Sequence, residues 1–309
     1  MPRCQCPIHI RNPSYTPDRP FIDVPCGKCI DCLQNKRTQW SWRLNQEWRS
    51  STTSYFITLT YDDEHLPTDR DGLHPLVKSD LQKWLKRVRK YYEKDKEVHI
   101  RYFACGEYGG DFGRPHFHVI LFNLPIPDRY YAQRFIEGTW QNGFVQLDYL
   151  TGGRIHYTTK YMLKDIAQDD DPAYAKYPPF MVCSKRPILG YRYIEKFKDW
   201  HNDDLSRTAA HTVYGTYVRI PDSFISKIFD DATREGNYRS IRKARGESSD
   251  RLQSVSENYW FDQYKQGAIC LDDLRQYVPD PTIESGLRRD QAIKSVGFNK
   301  MVRKTTKRH

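Results

Sequence analysis

Residues 55–61 read YFITLTY, a run in which every residue except Leu59 is aromatic or β-branched. Such a run is typical of a β-strand. Residues 115–124 read PHFHVILFNL and predict a second strand. Between the two, apolar residues recur at helical spacing over 78–94 and predict a helix with Ser79 as its N-cap.

The neighbouring segments complete a known pattern. Strands are predicted over 98–105 and 144–150, and helices over 129–140 and 155–166. The order strand, helix, strand, strand, helix, strand is that of the split βαβ fold, which is ferredoxin-like or RRM-like. We therefore predict an α+β protein in which an antiparallel sheet carries its helices on one face.

Three regions are predicted along the chain of 309 residues. Residues 1–50 form a Cys-rich N-terminal segment and a helix, 51–170 form the core, and 171–309 form a mostly helical or irregular C-terminal region. Aromatic residues make up 14% of the chain, which excludes a disordered protein. No apolar run approaches the length that spans a bilayer, so no membrane partner is expected. The N-terminal residues lack the apolar stretch of a secretory signal, which indicates a reducing cytoplasm.

Positive charge is concentrated at the C-terminus. The net charge is +10, and residues 286–309 hold eight Lys or Arg residues and one Asp. A basic tail without an apolar face indicates a polyanionic partner, nucleic acid before membrane. The alternative is a solvated, frayed terminus. The tail residues that we expect to contact DNA phosphates are Arg303, Lys304, Lys307 and Arg308.

A His-x-His pair lies on the strand predicted over 115–124. His116 and His118 point to the same face of a strand, so both imidazoles can bind one metal ion. Glu107, just after the preceding strand, would return beside them. Two imidazoles and one carboxylate suit an open site for Mn²⁺ or Mg²⁺. The alternative is that Glu107 only pairs with Arg114 in the turn.

The segment 157–164 contains Tyr-x-x-Lys twice. On a helix, Tyr157 and Tyr161 lie on one face, and Lys160 and Lys164 form a cationic row beside them. Nearby ammonium groups favour the nucleophilic phenolate. The alternative is a half-buried aromatic stripe.

Cysteines cluster near the N-terminus. Cys26, Cys29 and Cys32 stand at Cys-x-x-Cys-x-x-Cys spacing, which suits structural Zn²⁺. Either Cys4 or Cys6 can supply a fourth ligand. The alternative is a set of free thiols.

Taken together, these motifs resemble a known family. FITLTY at 56–61, GRPHFH at 113–118 and YTTKYMLK at 157–164 resemble the three ordered motifs of HUH endonucleases. The doubled Tyr-x-x-Lys is similar to the two-tyrosine superfamily of rolling-circle initiators. PCGKCIDC at 25–32, GEYG at 106–109 and the GRPHFH run resemble replication initiators of the gokushovirus branch of the Microviridae, small single-stranded DNA phages.

The resemblance covers roughly residues 25–200. It implies an HUH-type fold and a site-specific single-strand DNA endonuclease and ligase that initiates rolling-circle replication of a phage genome. The implied metal ligands are Glu107, His116 and His118, and the implied nucleophiles are Tyr157 and Tyr161.

The resemblance also implies the reaction and its partners. A tyrosine attacks the scissile phosphate beside Mg²⁺ or Mn²⁺, which leaves a 5′-phosphotyrosine link and a free 3′-hydroxyl that primes a host polymerase. Lys160 and Lys164 orient the phosphate or stabilise the leaving group. The partners are single-stranded DNA, the phage replication origin and the host replication machinery, and the location is the host bacterial cytoplasm.

Two other functions compete with this one. The first is an HUH-type transposase or plasmid relaxase. The second is a non-enzymatic, zinc-containing DNA-binding or packaging protein of a phage, built on the basic tail and the Cys cluster. Nicking of a labelled oligonucleotide separates the non-enzymatic protein from both enzymes.

Overall fold

A computed structural model of the chain describes residues 4, 6–16, 19–92, 98–109, 113–160, 172–204, 207, 209–211, 217–230, 232–233 and 236. The chain divides into two compact units, Met1–Asp199 with Ala209–Phe224, and Trp200–Thr208 with Ile225–His309. The sites discussed below lie within the first unit.

The described chain contains both strands and helices along its whole length. In order they are β1 (Ile8–Thr16), β2 (Arg19–Val24), α1 (Ile30–Arg49), β3 (Ser54–Tyr61), α2 (Lys78–Tyr92), β4 (Arg101–Tyr108), β5 (Pro115–Phe122), α3 (Arg129–Trp140), β6 (Gly143–Tyr149), α4 (Gly152–Lys160), α5 (Pro172–Lys176), β7 (Phe180–Cys183), α6 (Tyr191–Asn202), β8 (Ala209–His211), β9 (Tyr217–Arg219) and α7 (Asp222–Ile228). In this part of the chain, no helix combines the length and the apolar character needed to cross a membrane.

The central sheet has the order β6-β3-β5-β4-β7, and all its neighbouring strands pair antiparallel. Its first four strands follow the order of the split βαβ fold, so the predicted α+β class is confirmed. Strand β7 extends the sheet beside β4, and β1 and β2 form a separate hairpin. Neither β7 nor the hairpin was predicted from the sequence.

The two faces of the sheet follow from alternation along β3. Tyr55, Ile57, Leu59 and Tyr61 are buried in one core with α2 and α3, around Trp84 and Trp140 of those helices. The residues between them face the other way.

The opposite face is also covered by helices. Phe103, Ile120 and Phe122 pack there against Leu44 of α1 and Ile155 of α4. The expectation that the helices lie on one face only is therefore wrong. The reason is that α1, which precedes the βαβ pattern, buries an apolar stripe of its own against the sheet.

Most of the element boundaries in the structure agree with those predicted from local sequence signals. Helix α3 spans the residues predicted for it, and Asp128 caps it by accepting hydrogen bonds from the N–H groups of Tyr130 and Tyr131. Strand β4 differs: it begins at Arg101 and continues to Tyr108, beyond the predicted end at residue 105. Pairing with β5 extends β4 through Gly106, a residue with low strand propensity.

Gly143, at the start of β6, is the position where we expect a single methyl group to be most damaging to this fold. Its φ is +133°, and a Cβ atom there would lie 2.2 Å from the Asp62 nitrogen and 2.6 Å from the Thr60 carbonyl oxygen. Gly143→Ala is therefore expected to lower the free energy of unfolding by about 3 kcal/mol, measured by urea denaturation.

Gly138→Ala is the matched control. Gly138 lies on the exposed side of α3, and no heavy atom lies within 4 Å of a Cβ placed there. That change is expected to raise the free energy of unfolding by up to about 1 kcal/mol, because Ala has the higher helix propensity. Equal effects of the two substitutions would contradict the steric argument.

Candidate active site

The candidate active site is built by strand register. In the β4–β5 pair, Glu107 lies opposite His116, and in the β3–β5 pair, Thr58 lies opposite His118. These side chains point to the face of the sheet that carries α1 and α4, because residues two apart on a strand share a face. Glu107 therefore reaches the histidines from within a strand, whereas the sequence suggested a loop.

Three potential ligand atoms converge here. Oε1 of Glu107 lies 2.8 Å from Nε2 of His116 and 2.9 Å from Nε2 of His118. The three ligand atoms all lie within 4.8 Å of one another. Two ligands at about 2.1 Å from a divalent ion and at right angles are separated by about 3.0 Å, so the observed spacing fits such an ion. Glu107 is only 3% exposed, while His116 is half-buried.

Backbone and hydroxyl contacts orient both imidazoles. Nδ1 of His116 lies 3.2 Å from the Arg114 carbonyl oxygen, and Nδ1 of His118 lies 3.1 Å from the Thr58 hydroxyl. With Nδ1 of each ring protonated and donating, each Nε2 presents its lone pair toward Glu107. In that tautomer each imidazole would bind a metal ion through Nε2.

Arg114 makes contacts on another strand. It donates to the Tyr61 carbonyl oxygen at 2.8 Å and forms an ion pair with Asp63. The alternative in which Glu107 serves only to neutralise Arg114 is therefore not supported.

Tyr157 stands beside the histidines. Its ring centroid lies 5.4 Å from that of His118 and 6.2 Å from that of Phe56, in edge-on geometry with both. The side chain is 43% exposed and accessible to a large substrate. Lys160, at the end of the same helix, is half-buried. Tyr161 and Lys164 lie outside the described residues.

Helix α1 holds α4 in place. Oγ of Ser41 and Oγ1 of Thr159 are 2.9 Å apart, and both side chains are buried. Ile155 packs from α4 into the same core as Leu44 of α1. The position of Tyr157, a residue of α4, therefore depends on the packing of α4 against α1.

Sequence reasoning missed two residues near the site. Thr58 contacts His118, and Arg154 stands over the Phe56 ring at 5.8 Å while it pairs with Asp148 at 2.8 Å. Thr58 could have been found from the alternation of β3, which places its hydroxyl on the face shared with the histidines. No local signal marks Arg154.

The cysteines converge in a separate place. The thiols of Cys4, Cys26, Cys29 and Cys32 lie within 4.8 Å of one another. Cys6 is exposed and lies outside this group. Hydrogen bonds from the backbone N–H of Cys29, and to a smaller extent from that of Lys28, lower the pKa of the Cys26 thiol to about 6. The basic tail residues Arg303, Lys304, Lys307 and Arg308 lie outside the described residues.

Comparison with known proteins relates the central part of the chain to a described family. Residues 54–166 match the family model of replication-associated protein ORF2/G2P. That range contains the strand YFITLTY, the histidine pair and Tyr157.

Two relatives come from phages. The chain is 32% identical over 188 residues to replication-associated protein ORF2 of Spiroplasma virus 4, a match that covers 57% of this chain and 58% of that one. It is 30% identical over 212 residues to replication-associated protein VP4 of Bdellovibrio phage phiMH2K, which covers 64% of both chains. The chain thus spans less than two thirds of the length of either relative.

Among solved structures, the chain is similar to the hypothetical protein ORF119 from Sulfolobus islandicus rod-shaped virus 1. The match has 21% identity and a TM-score of 0.27, and it covers 42% of this chain and 94% of that one.

Proposed function

We propose, from the match of residues 54–166 to the family model of replication-associated protein ORF2/G2P, that the protein nicks and rejoins single-stranded DNA to start rolling-circle replication of a phage genome. The observation that carries the proposal is the convergence of Glu107, His116 and His118 beside Tyr157. A carboxylate and two imidazoles next to an accessible phenol suit metal-assisted attack on a phosphodiester.

Glu107, His116 and His118 would hold the divalent ion, Mg²⁺ or Mn²⁺. When bound, such an ion supplies Lewis-acid polarisation of the scissile phosphate. The half-buried His116 lies at the more accessible side of the site, where a phosphate can approach.

Tyr157 is the nucleophile in this proposal. Its phenolic oxygen loses its proton and forms a bond to phosphorus, and the bond from phosphorus to the 3′ oxygen breaks. The departing oxygen takes up a proton and becomes a free 3′-hydroxyl, which can prime a host polymerase. Lys160 would orient the phosphate or stabilise the charge that develops on it.

The phosphotyrosine link preserves the energy of the broken bond, so the step is reversible. A returning 3′-hydroxyl can attack the link, release the tyrosine and rejoin the strand. In this proposal Tyr161 is the second nucleophile and Lys164 its cationic neighbour. One tyrosine would then keep the DNA end while the other cleaves after a round of synthesis.

The remaining elements of the proposal concern partners and location. The substrate is single-stranded DNA that carries the phage origin, and the host replication machinery extends the new 3′ end in the bacterial cytoplasm. The basic residues of 286–309 would strengthen binding to any sequence through phosphates, without choosing the nick site.

The test is covalent capture of DNA by the full chain. Single-stranded oligonucleotides from the genome, labelled at either end, are incubated with the protein and Mn²⁺ or Mg²⁺ and then separated under denaturing conditions. We expect the fragment downstream of the nick to remain attached to protein through its 5′ end, and the upstream fragment to carry a 3′-hydroxyl that a polymerase extends.

Controls separate this activity from simple binding. A scrambled oligonucleotide of equal length should bind through the same charges but form far less adduct. Tight binding with no adduct in either metal would overturn the proposal and favour the non-enzymatic DNA-binding protein.

A further inference from the structure

We infer that Cys4, Cys26, Cys29 and Cys32 form a structural zinc site that fixes the start of α1. Because α4 packs against α1, the site would also help to hold α4 in position. Cysteine geometry and the packing of α1 support this site, whether or not the protein cleaves DNA.

The spacing of the sulfur atoms fits one tetrahedral ion. Sγ of Cys29 lies 3.8 Å from Sγ of Cys4, and Sγ of Cys26 lies 4.0 Å from Sγ of Cys32. With zinc–sulfur bonds of about 2.3 Å, two ligands of a tetrahedron are separated by about 3.8 Å. The four thiols are free, and these separations far exceed a disulfide bond of about 2.05 Å.

The backbone around the cluster supports thiolates. The N–H of Cys26 donates to Sγ of Cys4 at 3.3 Å, and the N–H of Cys29 donates to Sγ of Cys26 at 3.3 Å. Gly27, between these cysteines, has a φ of +75°, which turns the chain so that the amides face the sulfur atoms. Such amide donors stabilise the negative charge that zinc ligands carry.

The ligand chemistry points to zinc. Thiolates select soft or borderline ions, whereas a carboxylate with two imidazoles also accepts Mg²⁺ or Mn²⁺. All four sulfur atoms lie within 4.8 Å of one another, which leaves room for a single central ion. An iron–sulfur cluster places its thiolates on different iron atoms, and that arrangement needs a wider set.

The position of the cluster explains what the ion does. Cys4 lies before the β1–β2 hairpin, Cys26 and Cys29 lie between β2 and α1, and Cys32 lies in the first turn of α1. Cys29 is the N-cap residue of α1 but makes no side-chain capping hydrogen bond. Zinc would therefore cross-link the chain before the hairpin to the first turn of α1, in place of an ordinary cap.

Helix α1 transmits this constraint to α4, which packs on the same face of the sheet. Farther along the helix, Ser41 bonds Thr159 of α4, and Leu44 packs with Ile155. Loss of zinc should release the hairpin and the start of α1. The core around Trp84 and Trp140 lies on the opposite face and should be affected less.

The first experiment measures the metal content of the purified full chain by mass spectrometry. We expect about one equivalent of zinc, because structural sites bind it tightly. The thiols of the cluster should resist a thiol reagent until zinc is removed. Cobalt substituted for zinc should give the visible absorption of a tetrahedral thiolate complex.

The variants test which cysteines are ligands. Cys26→Ser should lose most of the bound metal, and limited proteolysis should then cut within residues 6–29. Cys6→Ser is the matched control, since Cys6 lies two positions from Cys4 but outside the cluster, and it should keep its zinc and its protease resistance.

Three outcomes would overturn the inference. The first is that the native protein contains no zinc and all four cluster thiols react freely. The others are that Cys6→Ser loses as much zinc as Cys26→Ser, or that the cobalt spectrum shows no thiolate ligands. The wild-type measurements decide the question even if Cys26→Ser fails to fold. None of these measurements uses DNA, so they are independent of whether the protein cleaves it.

Discussion

Replacing both Tyr157 and Tyr161 with Phe is expected to abolish the covalent DNA adduct, with a loss of cleavage on the order of 10⁴-fold or more, as is found when a nucleophile is removed. The phenol oxygen that attacks phosphorus is absent from both positions. The Phe rings keep the packing of Tyr157 against His118 and Phe56, so DNA binding should be largely intact. The measurement is adduct formation and DNA affinity on the same preparations.

The single variants separate the two roles. Tyr157→Phe and Tyr161→Phe should each retain some cleavage but fail to complete termination, because one nucleophile cannot both hold a DNA end and cleave again. Tyr131→Phe is the control, since this tyrosine is 66% exposed on α3, away from the site. Adduct formation by the double variant would show that the nucleophile lies elsewhere.

Glu107→Gln or His118→Ala is expected to reduce cleavage at least about a thousandfold, because a catalytic metal contributes several kcal/mol to stabilisation of the transition state. Chelation should have the same effect on the native protein, and added Mn²⁺ should restore activity. In the proposed function the ion is catalytic and not structural, so the far-UV circular dichroism should not change. Zinc content must be measured in parallel, since a chelator could also strip the cysteine cluster.

Thr58→Val provides a milder comparison with these ligand variants, because it alters a contact of His118 and leaves all three ligand atoms in place. It removes the hydroxyl that contacts Nδ1 of His118 but keeps the shape of the side chain. We expect the metal affinity to fall by about 10–100-fold, with near-normal cleavage at saturating metal. Loss of the folded far-UV signal on mild chelation, with zinc still bound, would instead mean that His116 and His118 are structural.

Local patterns determined much of this protein. The run at 55–61 forms a strand, the spacing over 129–140 forms a helix, and the element order gives the sheet order of the split βαβ fold. These features depend on residues close together in sequence, whose propensity and period are visible directly. The same holds for His116 and His118, which share a face because they lie two apart on a strand.

Two kinds of strand escaped prediction, one with an unfavourable local sequence and one with a distant partner. Strand β1 contains Pro13, which weakens any strand assignment, and β7 has only four residues and half-buried side chains. Strand β7 forms through its backbone pairing with β4, and β1 through its pairing with β2. Because β4 lies far from β7 in the chain, a sequence window around β7 does not include its partner.

Tertiary structure also decided which residues make up the candidate active site and the cysteine cluster. Register with β5 placed Glu107 on a strand opposite His116, and Arg114 reached Tyr61 at the end of β3 and Asp63 in the turn after it. Sequence spacing left Cys4 and Cys6 as equal candidates for a fourth thiol, and the fold brought Cys4 to the cluster. Sequence alone determined which chemical groups are present and which neighbours share a face, since these follow from backbone periodicity. Only the tertiary structure decided which groups meet, because contacts between residues far apart in the chain depend on register and packing.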